Sequence, residues 1–178
     1  SLARLTLALA LQREGDLQGA YAAIYDGFAK EEVSSPAFKA TLLVTACNVH
    51  WMAADLQGLS HAASQCIEQS QGAESPEIGN YGHYHLGCAR YQHNDLPAAG
   101  RHFSTVWKQP YLSYGDCFLY CACGLALTHQ AQGRAPEARA AAQSAVDFML
   151  ETGNTTLLPQ ARAFQAELAL RQGRIATS

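Results

Sequence analysis

Residues 84–99 read YHLGCARYQHNDLPAA, which combines the end of one helix, a turn and the start of another helix. Asn94 tolerates the left-handed backbone conformation that closes a helix, and Asp95 can cap the free N–H groups of the helix that follows. Pro97 lies in the first turn of that second helix, where its missing N–H breaks no hydrogen bond. The segment therefore predicts a helical hairpin with its turn at Asn94.

The same kind of turn recurs along the chain at a nearly constant distance. Equivalent positions are Gly15, Ala54, Asn94, Gly133 and Gly173, which are separated by steps of 39, 40, 39 and 40 residues. Gly or Asn occupies four of the five positions, and Ala54 is the weakest match. A fixed period of this length is typical of a helical repeat array, in which each repeat packs against its neighbours. The sequence thus predicts an all-α chain of about five helical hairpins.

Prolines between the hairpins help to place the predicted helices. Pro36, Pro76 and Pro110 fall where one hairpin ends and the next begins. We expect the first helices of the hairpins near residues 2–13, 37–53, 77–92, 113–131 and 156–171. We expect the second helices near residues 17–30, 56–71, 96–108 and 135–151.

Small and apolar side chains recur at fixed offsets from the turns. The positions seven residues before the turns hold Ala8, Cys47, Gly87, Ala126 and Ala166. The positions five, nine and twelve residues after the first four turns hold Ala20, Ile24, Gly27, Leu59, Ala63, Cys66, Ala99, Phe103, Val106, Ala138, Ala142 and Ala145. Because each set shares one helix face, the pattern predicts closely packed hairpins that stack into a continuous core.

The small residues around the turn, as in Leu86-Gly87…Asn94…Ala99…Phe103, are similar to the tetratricopeptide hairpin, whose period is about 34 residues. With its longer period of 39–40 residues, the chain resembles the helical-repeat domain of MalT and related large LuxR-type ATPase regulators of transcription. Residues 84–99 and 163–174 carry this resemblance most clearly. It covers residues 77–174 well and the first half of the chain mainly by period.

The resemblance implies a tetratricopeptide-like right-handed superhelix, with residues 1–178 as a single helical-repeat domain cut from a longer protein and its last hairpin truncated. In that family, the repeat domain lies between a nucleotide-binding module and a helix-turn-helix, and it receives an inducer or an inhibitory protein. The implied function is a non-catalytic, cytoplasmic sensor domain of a bacterial transcription regulator that binds a ligand or a partner. A general tetratricopeptide-like scaffold for protein–protein interaction is the alternative.

Aromatic and polar side chains share one stripe of the predicted first helices, which line the concave wall of tetratricopeptide-like superhelices. Tyr81, Tyr84, Cys88 and Tyr91 follow the spacing i, i+3, i+7, i+10 of such a stripe. Matching offsets on the other first helices add Asn48, Trp51, Tyr120, Gln130 and Glu167. Rings beside amide and carboxylate groups suit sugars, flat metabolites or peptides. The stripe is also typical of packing between repeats, so both interpretations stay open.

Composition narrows the possible partners. The 178 residues are 48% hydrophobic and 15% charged, which is typical of a globular chain, and the apolar stretches are too short to cross a bilayer. The net charge is −3 and no basic stripe is present, so we expect neither a nucleic acid nor a membrane as partner. A small neutral ligand such as a sugar, or a protein or peptide, is expected instead.

Reactive side chains do not form a recognisable centre in the sequence. The six cysteines lie in helical apolar patterns, as expected for reduced thiols: Cys47, Cys66, Cys88, Cys117, Cys121 and Cys123. The pairs His85 with Cys88 and Cys47 with His50 are each one turn apart, but four converging zinc ligands cannot be assembled from them. Neither a phosphate-binding loop nor a nucleophile elbow is present. We therefore expect no metal, no cofactor and no catalytic residue.

The last predicted first helix is rich in apolar side chains, namely Ala163, Phe164, Leu168 and Leu170. A helix at the end of a repeat array usually has a polar outer face. We therefore expect this sequence to self-associate through its C-terminal end.

Overall fold

The computed structural model describes residues 2–29, 35–72 and 75–174, and these ranges form helices and turns without any strand. The helices are α1 (Leu2–Glu14), α2 (Leu17–Ala29), α3 (Pro36–Met52), α4 (Leu56–Gly72), α5 (Pro76–Gln92), α6 (Leu96–Trp107), α7 (Gly115–Ala131), α8 (Ala135–Glu151) and α9 (Leu158–Arg171). The predicted all-α class is confirmed. None of these helices combines the length and the hydropathy that a membrane span requires.

The observed helix ends lie within two residues of the predicted ones. The largest differences are the starts of α7 and α9, because residues 113 and 156 precede the helices proper. A short 3-10 helix, Pro110–Leu112, and an extended Ser113 separate α6 from α7. Residue 30, at the predicted end of α2, lies outside the described ranges, as do residues 175–178, and Gly27 lies outside the residues whose burial is described.

All five predicted turn positions have a left-handed backbone. The φ angle is 81° at Gly15, 55° at Ala54, 59° at Asn94, 74° at Gly133 and 68° at Gly173. The same two hydrogen bonds close each turn. In the fourth, the N–H of Gly133 donates to the carbonyl of Gln130 at 3.0 Å, and the N–H of Arg134 donates to that of His129 at 2.9 Å. This is the Schellman arrangement, which pairs carbonyls that the helix end would leave without partners.

Aspartates cap the helices that follow three of these turns, as predicted for Asp95. Asp16 accepts a hydrogen bond from the N–H of Gly19 at 2.8 Å, and Asp55 accepts one from Gly58 at 2.9 Å. Asp95 caps α6 in the same way, by accepting from Ala98 at 3.2 Å. Each cap satisfies one of the N–H groups that the first turn of a helix leaves free.

One left-handed glycine falls outside the period and was not predicted. Gly153, with φ of 64°, ends α8 with the same pair of hydrogen bonds that close the hairpin turns. Asn154 then accepts a hydrogen bond from the N–H of Leu157 at 3.0 Å, before α9 begins. A Gly-Asn dipeptide therefore joins two hairpins here with the chemistry that elsewhere joins two helices of one hairpin.

The contacts divide the chain into two compact units, Ser1–Ala89 and Arg90–Ser178. In the N-terminal unit, α2 packs against α1 and α3, and α3 packs against α4. The predicted small positions are fully buried in its core, namely Ala8, Ala20, Ile24, Cys47, Leu59, Ala63 and Cys66. Their burial confirms that this helix face packs inward.

In the C-terminal unit, α7 packs against α6 and α8, and α8 packs against α9. The indole N–H of Trp107 on α6 donates to the hydroxyl oxygen of Ser144 on α8 at 2.7 Å, so α8 contacts α6 as well as α7. The predicted small positions Ala99, Phe103, Val106, Ala126, Ala138, Ala142 and Ala145 are buried. Ala166 on α9 is the exception, because its side chain is exposed.

The apolar residues expected on the uncovered face of α9 divide into two groups. Ala163 and Leu170 are exposed, and Leu170 presents 63% of its surface. Phe164 is half-buried and Leu168 is buried, so the expectation that Leu168 belongs to the uncovered face is wrong. Self-association through this end stays a prediction.

Helices α6 and α7 approach each other closely at Gly124. A methyl group there would lie 2.5 Å from Cζ of Phe103, well inside van der Waals contact. Phe103 is itself buried, so its ring cannot move without displacing other core atoms. Gly100, in the middle of α6, has no such neighbour, since the nearest atom would be Cγ2 of Thr128 at 3.6 Å.

Ala54 is a non-glycine residue in the left-handed region, so the substitution Ala54→Gly tests the repeated turn. We expect it to raise the free energy of unfolding by about 0.5–1 kcal/mol. Glycine removes the clash of Cβ in the left-handed conformation, and this gain exceeds the extra conformational entropy that glycine loses on folding. The matched change Gly133→Ala should lower it by about 1 kcal/mol. Urea unfolding followed by circular dichroism measures both, and a destabilised Ala54→Gly variant would contradict this account.

The close approach of α6 and α7 predicts opposite effects for two Gly→Ala substitutions in the same unit. Gly124→Ala should lower the free energy of unfolding by about 1–3 kcal/mol, because the added methyl group displaces a buried ring. Gly100→Ala should raise it by about 0.5–1 kcal/mol, because alanine is the better helix former and meets only ordinary contacts. Chemical denaturation of the two variants beside the parent distinguishes packing from helix propensity. Equal effects would contradict the close approach.

Candidate functional site

The predicted wall residues of the N-terminal unit lie on α3 and α5. Asn48 is half-buried, and Trp51, in the last turn of α3, is 40% exposed. Tyr81 and Tyr84 on α5 are half-buried. Gly82, Leu86 and Gly87, on the other side of α5, are buried. The two sides of α5 therefore differ in burial, whereas binding by the tyrosine stripe stays a prediction.

The predicted wall residues of the C-terminal unit differ in how open they are. Tyr91 is half-buried, and Tyr120 on α7 is 40% exposed. Gln130 is half-buried, and its Oε1 accepts a hydrogen bond from Gln172 Nε2 at 2.6 Å. Glu167 is exposed and forms an ion pair with Arg171 at 2.6 Å. Both polar wall side chains of this unit, Gln130 and Glu167, therefore already have partners within it.

Burial shifts the pKa of Cys88, which belongs to the tyrosine stripe, and that of the neighbouring His85. It raises the pKa of the Cys88 thiol to about 12, despite a hydrogen bond with Tyr84 that acts in the opposite direction. It lowers the pKa of His85 to about 4, and Nδ1 of this ring has no partner among the described residues. At neutral pH, Cys88 is thus a thiol and His85 is uncharged. A thiol with so high a pKa is a poor nucleophile.

A polar cluster that the sequence did not predict joins α2, α3 and the turn after α3. Nδ1 of the buried His50 lies 2.8 Å from Oδ2 of Asp55 and 2.6 Å from the hydroxyl oxygen of Tyr21. Nε2 lies 3.3 Å from the hydroxyl oxygen of Tyr25. A proton on Nδ1 that donates to Asp55 leaves Nε2 to accept from Tyr25. A methyl group at Gly58 would lie 2.2 Å from the imidazole, so the cluster requires glycine there.

This cluster has the order carboxylate, imidazole, hydroxyl that activates a nucleophile in some enzymes. Here burial, with nearby charges of the same sign, raises the pKa of Tyr21 and of Tyr25, so both phenols hold their protons. The hydrogen bond from the N–H of Gly58, together with His50, lowers the pKa of Asp55. We interpret the cluster as a structural link between the first two hairpins.

An open groove with a volume of about 590 Å³ lies between α8 and α9 in the C-terminal unit. The apolar residues along its lining are mostly small, namely Ala140, Ala142, Ala166, Leu168 and Ala169, of which Ala142 and Leu168 are buried. Polar side chains complete the lining, namely Arg139, Gln143, Arg162, Gln165 and Arg174. None of the eight predicted wall residues lines it. The sequence did hold a sign of the groove's basic lining, because Arg139 and Arg162 occupy positions that hold Gly100 and Ala122 one repeat earlier.

Metal binding has no visible centre in this part of the molecule. Across residues 2–29, 35–72 and 75–174, no group of three or more His, Cys, Asp or Glu side chains is arranged to hold a metal ion. The six cysteines all lie within these ranges, and none of them forms a disulfide there.

The low pKa of His85 predicts a loss of stability in acid. The unfolded chain binds a proton near the ordinary pKa of 6.5, whereas the folded chain does so only near 4. The contribution of uncharged His85 to the free energy of unfolding is therefore complete above pH 6.5 and is lost as the pH falls towards 4. The loss between pH 7 and pH 5 is about 2 kcal/mol. Burial lowers the pKa of His83 and of His129 as well, so the parent should lose more than this amount.

Urea unfolding at pH 7 and pH 5 measures the effect of His85. We expect His85→Gln to remove about 2 kcal/mol of the loss, because glutamine does not titrate in this range. The exposed His61 provides the control, and His61→Gln should keep the full pH dependence. An unchanged difference between the two pH values in His85→Gln would show that burial of this imidazole is not the cause.

Comparison of the chain with protein-family models, with curated proteins and with solved structures finds no match. The resemblance to MalT-like regulators therefore rests on the sequence pattern.

Proposed function

We propose that this chain is a non-catalytic binding domain, built from tetratricopeptide-like hairpins, that recognises a ligand or a protein partner. The observation that carries the proposal is the fivefold repetition of one turn, with a left-handed residue and the same two hydrogen bonds every 39–40 residues. Identical turns allow different side chains at equivalent outer positions without a change in the hairpin itself. Repeat proteins use such variable positions to form extended binding surfaces.

The proposal includes a right-handed superhelix, with the first helices on its concave side. The candidate wall combines the partly exposed rings of Trp51 and Tyr120 with the half-buried Tyr81, Tyr84 and Tyr91. Asn48, Gln130 and Glu167 supply polar edges. Aromatic area with a few hydrogen-bonding groups favours a small neutral ligand such as a sugar.

We further propose that the domain is the sensor of a bacterial, cytoplasmic transcription regulator resembling the MalT-like LuxR-type ATPases. Residues 84–99 and 163–174 support this part of the proposal through their similarity to that family's repeats. A ligand on the wall acts by favouring one of two arrangements of the hairpins, which the rest of the regulator reads.

The second candidate function is a general scaffold for protein–protein interaction. The groove between α8 and α9 favours it, because its small apolar residues and arginines suit a macromolecular partner better than a neutral small molecule.

A thermal-shift screen with neutral sugars and oligosaccharides tests the small-ligand sensor. A ligand at a hundred times its Kd should raise the free energy of unfolding by about 2.7 kcal/mol, because it binds only the folded chain. Tyr84→Ala and Trp51→Ala should abolish the shift. Tyr111→Ala is the matched control, since Tyr111 is an exposed aromatic residue outside the wall. A folded protein that responds to no sugar would contradict the sensor and favour the scaffold.

A further inference from the structure

We propose that the groove between α6 and α7 is a binding site for a small hydroxylated aromatic carboxylate. This groove is separate from the tyrosine stripe and lies within the C-terminal unit. The inference rests on a comparison of two junctions between hairpins. One junction is filled by tyrosines of the chain itself, and the equivalent space at the other is open.

The junction between the first two hairpins shows which groups fill this space. Tyr21 and Tyr25 lie six and ten residues after the first turn. Their hydroxyl oxygens lie 2.6 Å from Nδ1 and 3.3 Å from Nε2 of His50, which precedes the next turn position by four residues. Asp55, directly after that position, lies 2.8 Å from Nδ1. Two phenol rings, an imidazole and a carboxylate therefore occupy this junction.

The junction between the third and fourth hairpins keeps the imidazole and lacks its partners. His129 on α7 occupies the position of His50, and the two tyrosine positions hold Gly100 and Ser104 on α6. Nδ1 of His50 has two partners, whereas Nδ1 of His129 is buried and has none among the described residues. A methyl group at Gly100 would meet only Cγ2 of Thr128, at 3.6 Å. The two rings of the first junction thus have no equivalent here.

The space at this junction is a groove with a volume of about 540 Å³, which is within the range of small-molecule sites. Gly100, Ser104 and His129 all line it. Leu96 and Leu125 are among the apolar residues of the lining. Because the first junction places phenol rings against an imidazole, the matching ligand group is an aromatic ring with a hydroxyl group.

The imidazole of His129 is suited to bind that hydroxyl group. Burial and the positive charge of Arg134 lower the pKa of His129, against a smaller opposing effect of Glu137, so the ring is uncharged at neutral pH. An uncharged imidazole has one nitrogen that donates and one that accepts. Glu137 occupies the position that Gly58 has beside His50, where even a methyl group would lie 2.2 Å from the imidazole. His129 therefore cannot pack as His50 does, and it lines the groove.

The charges of the groove favour a carboxylate on the same ligand. Arg134 occupies the position of Asp55, so a guanidinium replaces the carboxylate of the first junction. Arg101 and Lys108 also line the groove, and none of the described lining residues is acidic. Arg134 donates a hydrogen bond to the uncharged amide of Gln132, which does not neutralise its charge. A planar carboxylate on the ligand would pair with a guanidinium here.

The groove between α8 and α9 is basic as well, but it lacks the imidazole. Ala169 occupies the position of His129 there, and both residues line their grooves. Arg139 and Gln143 occupy the two ring positions, so the space beside them is not bordered by small residues. The imidazole beside two small residues, rather than the positive charge, therefore distinguishes the groove between α6 and α7.

Isothermal titration calorimetry with para-hydroxybenzoate tests the proposal. Two matched probes each lack one group: benzoate lacks the hydroxyl group, and para-hydroxybenzamide lacks the charge. We expect para-hydroxybenzoate to bind about tenfold more tightly than either probe, because each missing group removes one hydrogen bond or ion pair. A folded parent protein that does not bind para-hydroxybenzoate, or that binds all three probes equally, would overturn the proposal.

Two substitutions locate the binding site. His129→Phe keeps a ring but removes its nitrogens, so para-hydroxybenzoate should bind about tenfold more weakly while the affinity for benzoate is kept. Because benzoate must still bind, loss of folding cannot produce this result. Gly100→Tyr restores a ring of the first junction and should abolish binding of all three probes, with circular dichroism confirming that the variant is folded.

Arg162→Gln is the matched control, because Arg162 is an exposed arginine of the groove between α8 and α9. It should leave the three affinities unchanged, as should Tyr84→Ala and Trp51→Ala, which test the separate wall. An unchanged preference for para-hydroxybenzoate in His129→Phe would overturn the proposal. So would binding by folded Gly100→Tyr, or loss of binding in Arg162→Gln.

Discussion

The end of a helix leaves carbonyl groups without partners, and among the described residues a single left-handed residue lets the backbone pair them six times, at the five hairpin turns and at Gly153. At Gly133, for example, the backbone turns so that two consecutive N–H groups reach back to the last turn of α7. The path of the chain after the turn is then fixed. Small residues seven before and five after the turn consequently lie in the packed core, as Ala126 and Ala138 do, with Ala166 as the exposed exception.

The sequence was sufficient to predict the parts of the fold that depend on short segments. Asn94, Asp95 and Pro97 each have one favourable place in a hairpin, so a turn can be recognised from a few residues, and its repetition then places the helices. The cluster around His50 could not be predicted in this way. It joins Tyr21 on α2 to a turn more than thirty residues away, and no period relates these positions.

The candidate sites show the same limit. The spacing of the tyrosines places them on one stripe of α5, but their exposure depends on what lies against that stripe, which the local sequence does not specify. The groove at α9 was anticipated only as an uncovered apolar face. Leu168 is in fact buried, and the more informative signal was the appearance of Arg139 and Arg162 at positions that are uncharged one hairpin earlier.

The offsets that relate Phe103 to Gly124 recur in the sequence at each junction between hairpins. Nine residues after one turn and nine before the next, the paired positions hold Ile24 with Thr45, Ala63 with His85, Phe103 with Gly124, and Ala142 with Phe164. The larger side chain of each pair lies on the second helix of a hairpin at one junction and on the first helix of the following hairpin at the next junction. A large side chain in place of Gly124 has no room beside the ring of Phe103, so a hairpin that carries one at this offset does not fit after α6. Near-identical turns are thus combined with at least one junction that accepts only a matching neighbour.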